Sequence, residues 1–158
     1  MNSREKEKIK KFYHDTIGIK SETVLQTLVE NSRICKLNAK TLLIKENEKV
    51  EQISFLYKMG GIVKAYYKNQ KGKNQIHCFA HLPGEPLAGI MNLDRNMTSF
   101  LTVEAVTDCE IVSTSARVLQ KLSRESIEVA LTCNRMQGIS ALREYEYRTV
   151  ILTCTPVQ

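Results

Sequence analysis

The chain has 158 residues, 42% of them hydrophobic and 25% charged, with 7 glycines and 3 prolines. That composition excludes collagen-like, low-complexity and largely disordered chains and suits one globular domain of ordinary size. No run approaches the roughly 18 apolar residues of a membrane span, and the charged start Met1-Asn2-Ser3-Arg4-Glu5-Lys6 has no apolar leader. A cytoplasmic protein with no membrane partner is expected. The net charge of +6 permits an anionic partner without naming one.

The first predicted element is a helix capped by Ser3, with Ile9, Phe12, Tyr13 and Ile17 at helical spacing and Gly18 as its stop. Lys6, Lys8, Lys10 and Lys11 read as its solvated face. A second, short helix should begin at Ser21 and bury Leu25, Leu28 and Val29. After Asn31 the period changes from about 3.6 to about 2. Thr41–Ile44 reads as a short strand. Ile53, Phe55, Tyr57 and Met59 alternate with Ser54, Leu56 and Lys58, predicting a strand with one face in a core. Gly60-Gly61 bends the chain before a strand over Ile62–Tyr67, and Asn69–Lys73 is turn chemistry centred on Gly72. Next, Ile76, Cys78, Ala80 and Leu82 face one way and His77, Phe79 and His81 the other. Strands over Phe100–Val106 and Cys109–Thr114 complete the pattern, which points to an antiparallel sandwich or barrel.

The last third is helical again. A short segment, Ala116–Leu122, precedes a long helix capped by Ser123 and running from Arg124 to Cys154. Its apolar residues include Ile127, Leu131, Met136, Ile139, Leu142, Tyr145, Val150 and Leu152, which fall on more than one face. A stripe this broad can pack on its own sheet and on a second copy, so a homodimer through Leu131, Gly138, Leu142, Tyr145 and Leu152 is expected. Gly138 inside the helix costs roughly 1 kcal/mol relative to alanine. Close approach of another backbone there and a tolerated defect are both open. Thr155-Pro156 is a helix start followed by only two residues, so the chain is expected to continue into a further domain.

Chemistry-bearing motifs are few. Cys35, Cys78, Cys109, Cys133 and Cys154 are widely spaced and form no C-x-x-C pair, which argues against disulfide, zinc or iron–sulfur frameworks. Free thiols packed as small apolar groups are expected. His77 and His81 should share a strand face with Phe79 between them, but a metal needs further ligands and none is suitably spaced, so no metal or other cofactor is expected. His14 should be exposed. There is no G-x-S-x-G, P-loop or H-E-x-x-H, and the spacing of His77 and His81 is wrong for a cupin His-x-His set. No catalytic residue is assigned.

The order of elements, with four local motifs, resembles the N-terminal half of Crp/Fnr transcription regulators. Ile53 to Tyr67, with Gly61 after Tyr57-Lys58-Met59-Gly60, resembles that family's strand–glycine–strand stretch, and Gly72 its hairpin glycine. Leu82-Pro83-Gly84-Glu85 resembles its "pGd" turn, and Val103-Glu104-Ala105-Val106-Thr107-Asp108-Cys109-Glu110 its "vvAltdce" strand pair. The resemblance covers Leu37–Leu122 closely and the long helix by position. It implies an α+β fold: a double-stranded antiparallel β-roll (a jelly roll of the cyclic-nucleotide-binding type), with N-terminal helices and a long C-terminal dimerisation helix. The implied divisions are 1–122 for the roll and its helices, 123–154 for the long helix, and 155–158 for the start of a helix-turn-helix domain through which alone DNA would be bound. On charge alone, this chain could associate with DNA only weakly and in a salt-sensitive way.

In the family, a helix after the "pGd" turn offers backbone N–H groups to a cyclic phosphate, a glutamate holds the ribose hydroxyl and an arginine pairs with the phosphate. Counting from Gly84, the glutamate position falls on Gly89 or, one residue on, Ile90, and the family glycine on Ala88 or Gly89. Counting back from Ala105, the arginine position falls on Ser99, with Arg95 nearby. Losing charge-assisted bonds worth roughly 1.5–3 kcal/mol each makes tight cAMP or cGMP binding unexpected. Gly84, Leu87, Ala88, Gly89, Ile90, Arg95, Ser99, Phe100, Leu142 and Arg143 are the candidate pocket for an unknown small-molecule effector. With Leu87, Ile90, Met91 and Phe100 the pocket is more apolar than a nucleotide site. Ile139, Leu142 and Arg143 could sense it from the long helix. A cavity filled by its own side chains, or input from another protein, stays open. So does a free-standing ligand carrier or cupin-like enzyme.

Overall fold

Asn2, not Ser3, caps the first helix: its Oδ1 accepts the Glu5 N–H at 2.8 Å, leaving Ser3 as the first helical residue. The computed structural model describes residues 2–90, 93 and 97–153, the side chain of Leu152 excepted. Helix α1 (Ser3–Lys11) runs into a π-helical turn, Phe12–Ile17, which Gly18 ends at φ +95°. Ile9, Phe12, Tyr13 and Ile17 are buried, as their spacing predicts. The Tyr13 hydroxyl lies 2.9 Å from Ser32 Oγ, and burial pushes its phenol up to about 12. Helix α2 (Glu22–Glu30) follows Ser21 and buries Leu25, Leu28 and Val29.

Eight strands follow among the described residues: β1 (Ser32–Leu37), β2 (Leu42–Ile44), β3 (Gln52–Leu56), β4 (Val63–Lys68), β5 (Asn74–Ala80), β6 (Pro86–Ala88), β7 (Thr102–Ala105) and β8 (Cys109–Ser115). They form two four-stranded antiparallel sheets, ordered β1-β8-β3-β6 and β2-β7-β4-β5. Chain-distant strands are neighbours, as when β1 pairs with β8 from Ser32↔Thr114 to Leu37↔Cys109. This is a jelly roll, the expected class. The expected strand over Ile53–Met59 is shorter and differently buried. It stops at Leu56, Met59 is 69% exposed, and Ser54 and Leu56 are buried along with Ile53 and Phe55. Both faces are covered because the Phe12 ring packs 6.4 Å from Phe55 while Ser54 and Ser113 hydroxyls meet at 2.6 Å. Strands β1 and β6 have no counterpart in the sequence reading. Phe100 lies outside β7, which begins at Thr102, and β5 ends before His81.

Helix α3 (Ala116–Glu125) and helix α4 (Ile127–Thr153) divide at Ser126, three residues beyond the expected Ser123. Ser126 is extended, at φ −129° and ψ 118°, and its Oγ accepts the Val129 N–H at 3.4 Å. Ser123 instead lies inside α3, with its hydroxyl donating to the Gln120 carbonyl at 2.8 Å. Helix α4 buries Val129, Cys133 and Met136 and bares Ile127, Leu131, Leu142, Tyr145, Val150 and Ile151. Thr155-Pro156 and Cys154 lie outside the described residues; among the described residues Cys35, Cys78, Cys109 and Cys133 form no disulfide. Among the described residues no helix is long and apolar enough to cross a membrane.

Candidate functional site

The "pGd"-like turn is built around one buried carboxylate. Glu85 is 6% exposed; its Oε2 accepts the His81 and Leu82 N–H groups at 2.6 and 2.7 Å, and its Oε1 accepts Arg143 Nε of α4 at 2.6 Å. Backbone bonds from Gly84 N to Leu56 O and from Leu56 N to Glu85 O pin the turn to the end of β3. The turn therefore delivers β6 to the sheet edge, where Ala88 pairs with Ser54.

Between β6, β5, the Ser99–Leu101 stretch and α4 lies a cavity of about 110 Å³. Of the residues picked from the sequence, Leu87, Ala88, Gly89, Ile90, Ser99 and Phe100 line it. Ala65, His77, Cys78, Pro86, Leu101, Val103, Ser140, Ala141 and Glu144 also line it. Gly84, Ile139, Leu142 and Arg143 line a separate cleft of about 390 Å³ between the turn and α4. Arg95 and Met91 lie outside the described residues.

The two positions where the resemblance places charge are explained locally. Gly89 has φ +84°, and a Cβ there would stand 2.5 Å from both Ile53 Cδ1 and Val50 Cγ1. A side chain is excluded by conformation and by space, so the position carries no carboxylate. Ile90 is buried at 3% exposure. The Ser99 hydroxyl donates to the Leu101 carbonyl at 2.6 Å, its carbonyl accepts from Asn47 N at 2.6 Å, and its N–H reaches Glu48 O at 2.8 Å. It shapes a turn and offers no positive charge.

The polar end of the cavity comes from β5 and α4. His77 Nε2 stands 3.3 Å from Glu144, whose other oxygen pairs with Arg148 at 2.6 Å. Burial holds the His77 imidazole below its ordinary value; Glu144 opposes that shift and Arg148 adds to it. The Phe100 ring meets His77 edge-on at 6.5 Å. Burial pushes the Cys78 thiol up to about 11, so it stays neutral at physiological pH. Gln137 Nε2 donates to the Ile90 carbonyl at 3.1 Å, a second tie between α4 and the cavity wall. Among the described residues no group of three or more His, Cys, Asp or Glu side chains could hold a metal ion. His14, in the π-helical turn, has a half-exposed side chain beside Asp15.

No protein-family model matches the chain, and no curated protein matches it in sequence. Solved structures do match in shape. The sensor domain of the transcriptional regulator DNR from Pseudomonas aeruginosa superposes with a TM-score of 0.65 at 17% identity, covering 81% of this chain and 88% of that one. The fold is that of a cyclic-nucleotide-binding domain. FixK2 from Bradyrhizobium japonicum matches with a TM-score of 0.61 at 23% identity, over 77% of this chain and 58% of that one. The regulatory domain of Toxoplasma gondii PKA, crystallised with cAMP, matches with a TM-score of 0.63 at 19% identity, over 77% of this chain and 45% of that one. Two of these neighbours are thus a sensor domain and a regulatory domain. Likeness at such identity carries the fold and leaves the ligand to the residues.

Proposed function

We propose that the chain is the effector-sensing and dimerising domain of a Crp/Fnr-type transcription regulator, acting in the cytoplasm and regulatory rather than catalytic. In this reading residues 1–122 sense, 123–154 dimerise, and 155–158 open a helix-turn-helix domain that binds DNA. The observation that carries it is the double duty of α4. One side supplies Ser140, Ala141 and Glu144 to the cavity wall, and the other bares Leu131, Leu142 and Tyr145. A helix that touches both a small-molecule site and an unoccupied apolar face is suited to couple them. Gly138 lies between Leu131 and Leu142 with nothing within 4 Å of a Cβ built on it, which leaves room for a partner backbone. Leu152 belongs to the same proposed seam by spacing. Gly89 and Ser99 argue that the effector is not a tightly held cyclic nucleotide.

A fusion tests the reading. The chain joined ahead of a DNA-binding domain that grips its operator only as a dimer should repress a reporter, and Leu142→Glu should relieve that repression. Equal reporter expression with and without the chain would contradict the proposal.

A further inference from the structure

We propose that the cavity between the roll and α4 takes an uncharged single-ring molecule with one hydroxyl, the phenol class, its hydroxyl directed at Glu144. The inference rests on the effector-sensing reading and adds the chemistry of the effector. Size comes first. At about 110 Å³ the cavity is of the order of the roughly 150 Å³ apolar cavity known to admit benzene, and far below the roughly 300 Å³ and more of pockets for larger ligands. Shape and polarity agree. Leu87, Ile90, Phe100, Leu101 and Val103 supply apolar walls, and the Phe100 ring can stack or meet a ligand ring edge-on.

The polar side chains of the wall are His77 and Cys78 of β5, Ser140 and Glu144 of α4, and Ser99, whose hydroxyl is spent on the Leu101 carbonyl. Glu144 can accept from a ligand hydroxyl, and Ser140, one turn before it on α4, can donate to the same oxygen. The Ser140 hydroxyl makes no hydrogen bond to any described residue. Charge decides the class. Glu144 is the carboxylate of the wall, its charge already met by Arg148 outside it, and no lysine or arginine among the described residues lines the cavity, so a ligand anion would find no cation there to pair with. A phenol, which keeps its proton to about pH 10, meets Glu144 as a neutral donor.

Calorimetric titration of the intact chain at pH 7.5 with phenol, benzoate and cAMP separates the possibilities. Phenol should bind with a Kd at least about tenfold below that of benzoate, and cAMP should give no saturable heat. Glu144→Gln keeps the shape, removes the charge and should shrink the phenol–benzoate gap to about threefold or less. Ser140→Leu, with its melt checked for folding, should abolish phenol binding. Benzoate or cAMP binding as tightly as phenol, no phenol binding at all, or an unchanged gap in Glu144→Gln would overturn the proposal. A chain that passes the fusion test yet binds no phenol loses only this inference. One that binds phenol and fails the fusion test loses only the regulatory reading.

Discussion

Two carboxylates on either side of the same helix contact have different tasks. Glu85 is consumed by structure, holding three donors that fix the turn, whereas Glu144 faces a cavity with one neighbour of adjustable charge. That neighbour gives a pH dependence of known sign. Burial depresses the His77 value in the folded chain below its ordinary 6.5, so in the window just under 6.5 the unfolded chain binds more protons than the folded one. Stability is then full above about pH 6.5 and is lost as pH falls below it. The melting temperature should fall between pH 7.5 and 5.5, and His77→Gln should flatten part of that fall. An identical slope in wild type and variant would show that His77 does not titrate on unfolding. At this scale the sequence reading reached Ser99 and Gly89 as departures from a nucleotide site. It could not reach their reasons: the Ser99 turn is tied down by the distant backbone of Asn47 and Glu48, and Gly89 meets Ile53 and Val50, 36 and 39 positions back along the chain.

Among the elements, α4 is tied to the body at intervals along its length. The Glu128 carboxylate accepts the Lys20 and Ser21 N–H groups at 2.6 and 3.1 Å, at the start of α2, where a negative charge also suits the helix dipole. Arg135 donates to the Ile17 carbonyl at the end of the π-helical turn, and Arg143 reaches Glu85. Tyr147 packs on Phe79 of β5 with ring centroids 5.7 Å apart. Arg143→Met tests the central tie. It leaves a buried carboxylate without its cation, and because Arg143 is itself partly exposed the loss in urea unfolding should be about 2 kcal/mol, below the full value of a wholly buried pair. A change under a few tenths of a kcal/mol would mean that the turn holds without α4. The helices and most strands were legible because period 3.6 and period 2 are strong signals in Ile9–Ile17 and in Ile76–Leu82. Strand β6 is three residues long and begins with a proline, and β1 alternates weakly. Neither carries enough period to be seen. The inward face of α4 was illegible for the opposite reason: apolar residues all around the helix leave the choice to tertiary packing, so Ser140 and Glu144 were missed.

For the whole molecule, the unmatched feature is the apolar face of a 27-residue helix. Leu131 at 65%, Leu142 at 55% and Tyr145 at 69% exposure lie on that side, and an isolated protomer leaves them in water. An isologous two-fold contact would cover the same residues on both copies and set a roll, with its cavity, on each side of the seam. That arrangement would let a small change at Glu144 be felt as a change in the angle between two helices. Its most direct test is sedimentation equilibrium of the intact chain beside Leu131→Glu. The account predicts a dimer for the first and a folded monomer for the second. A wild-type monomer at tens of micromolar, or a dimer that survives the substitution, would contradict it.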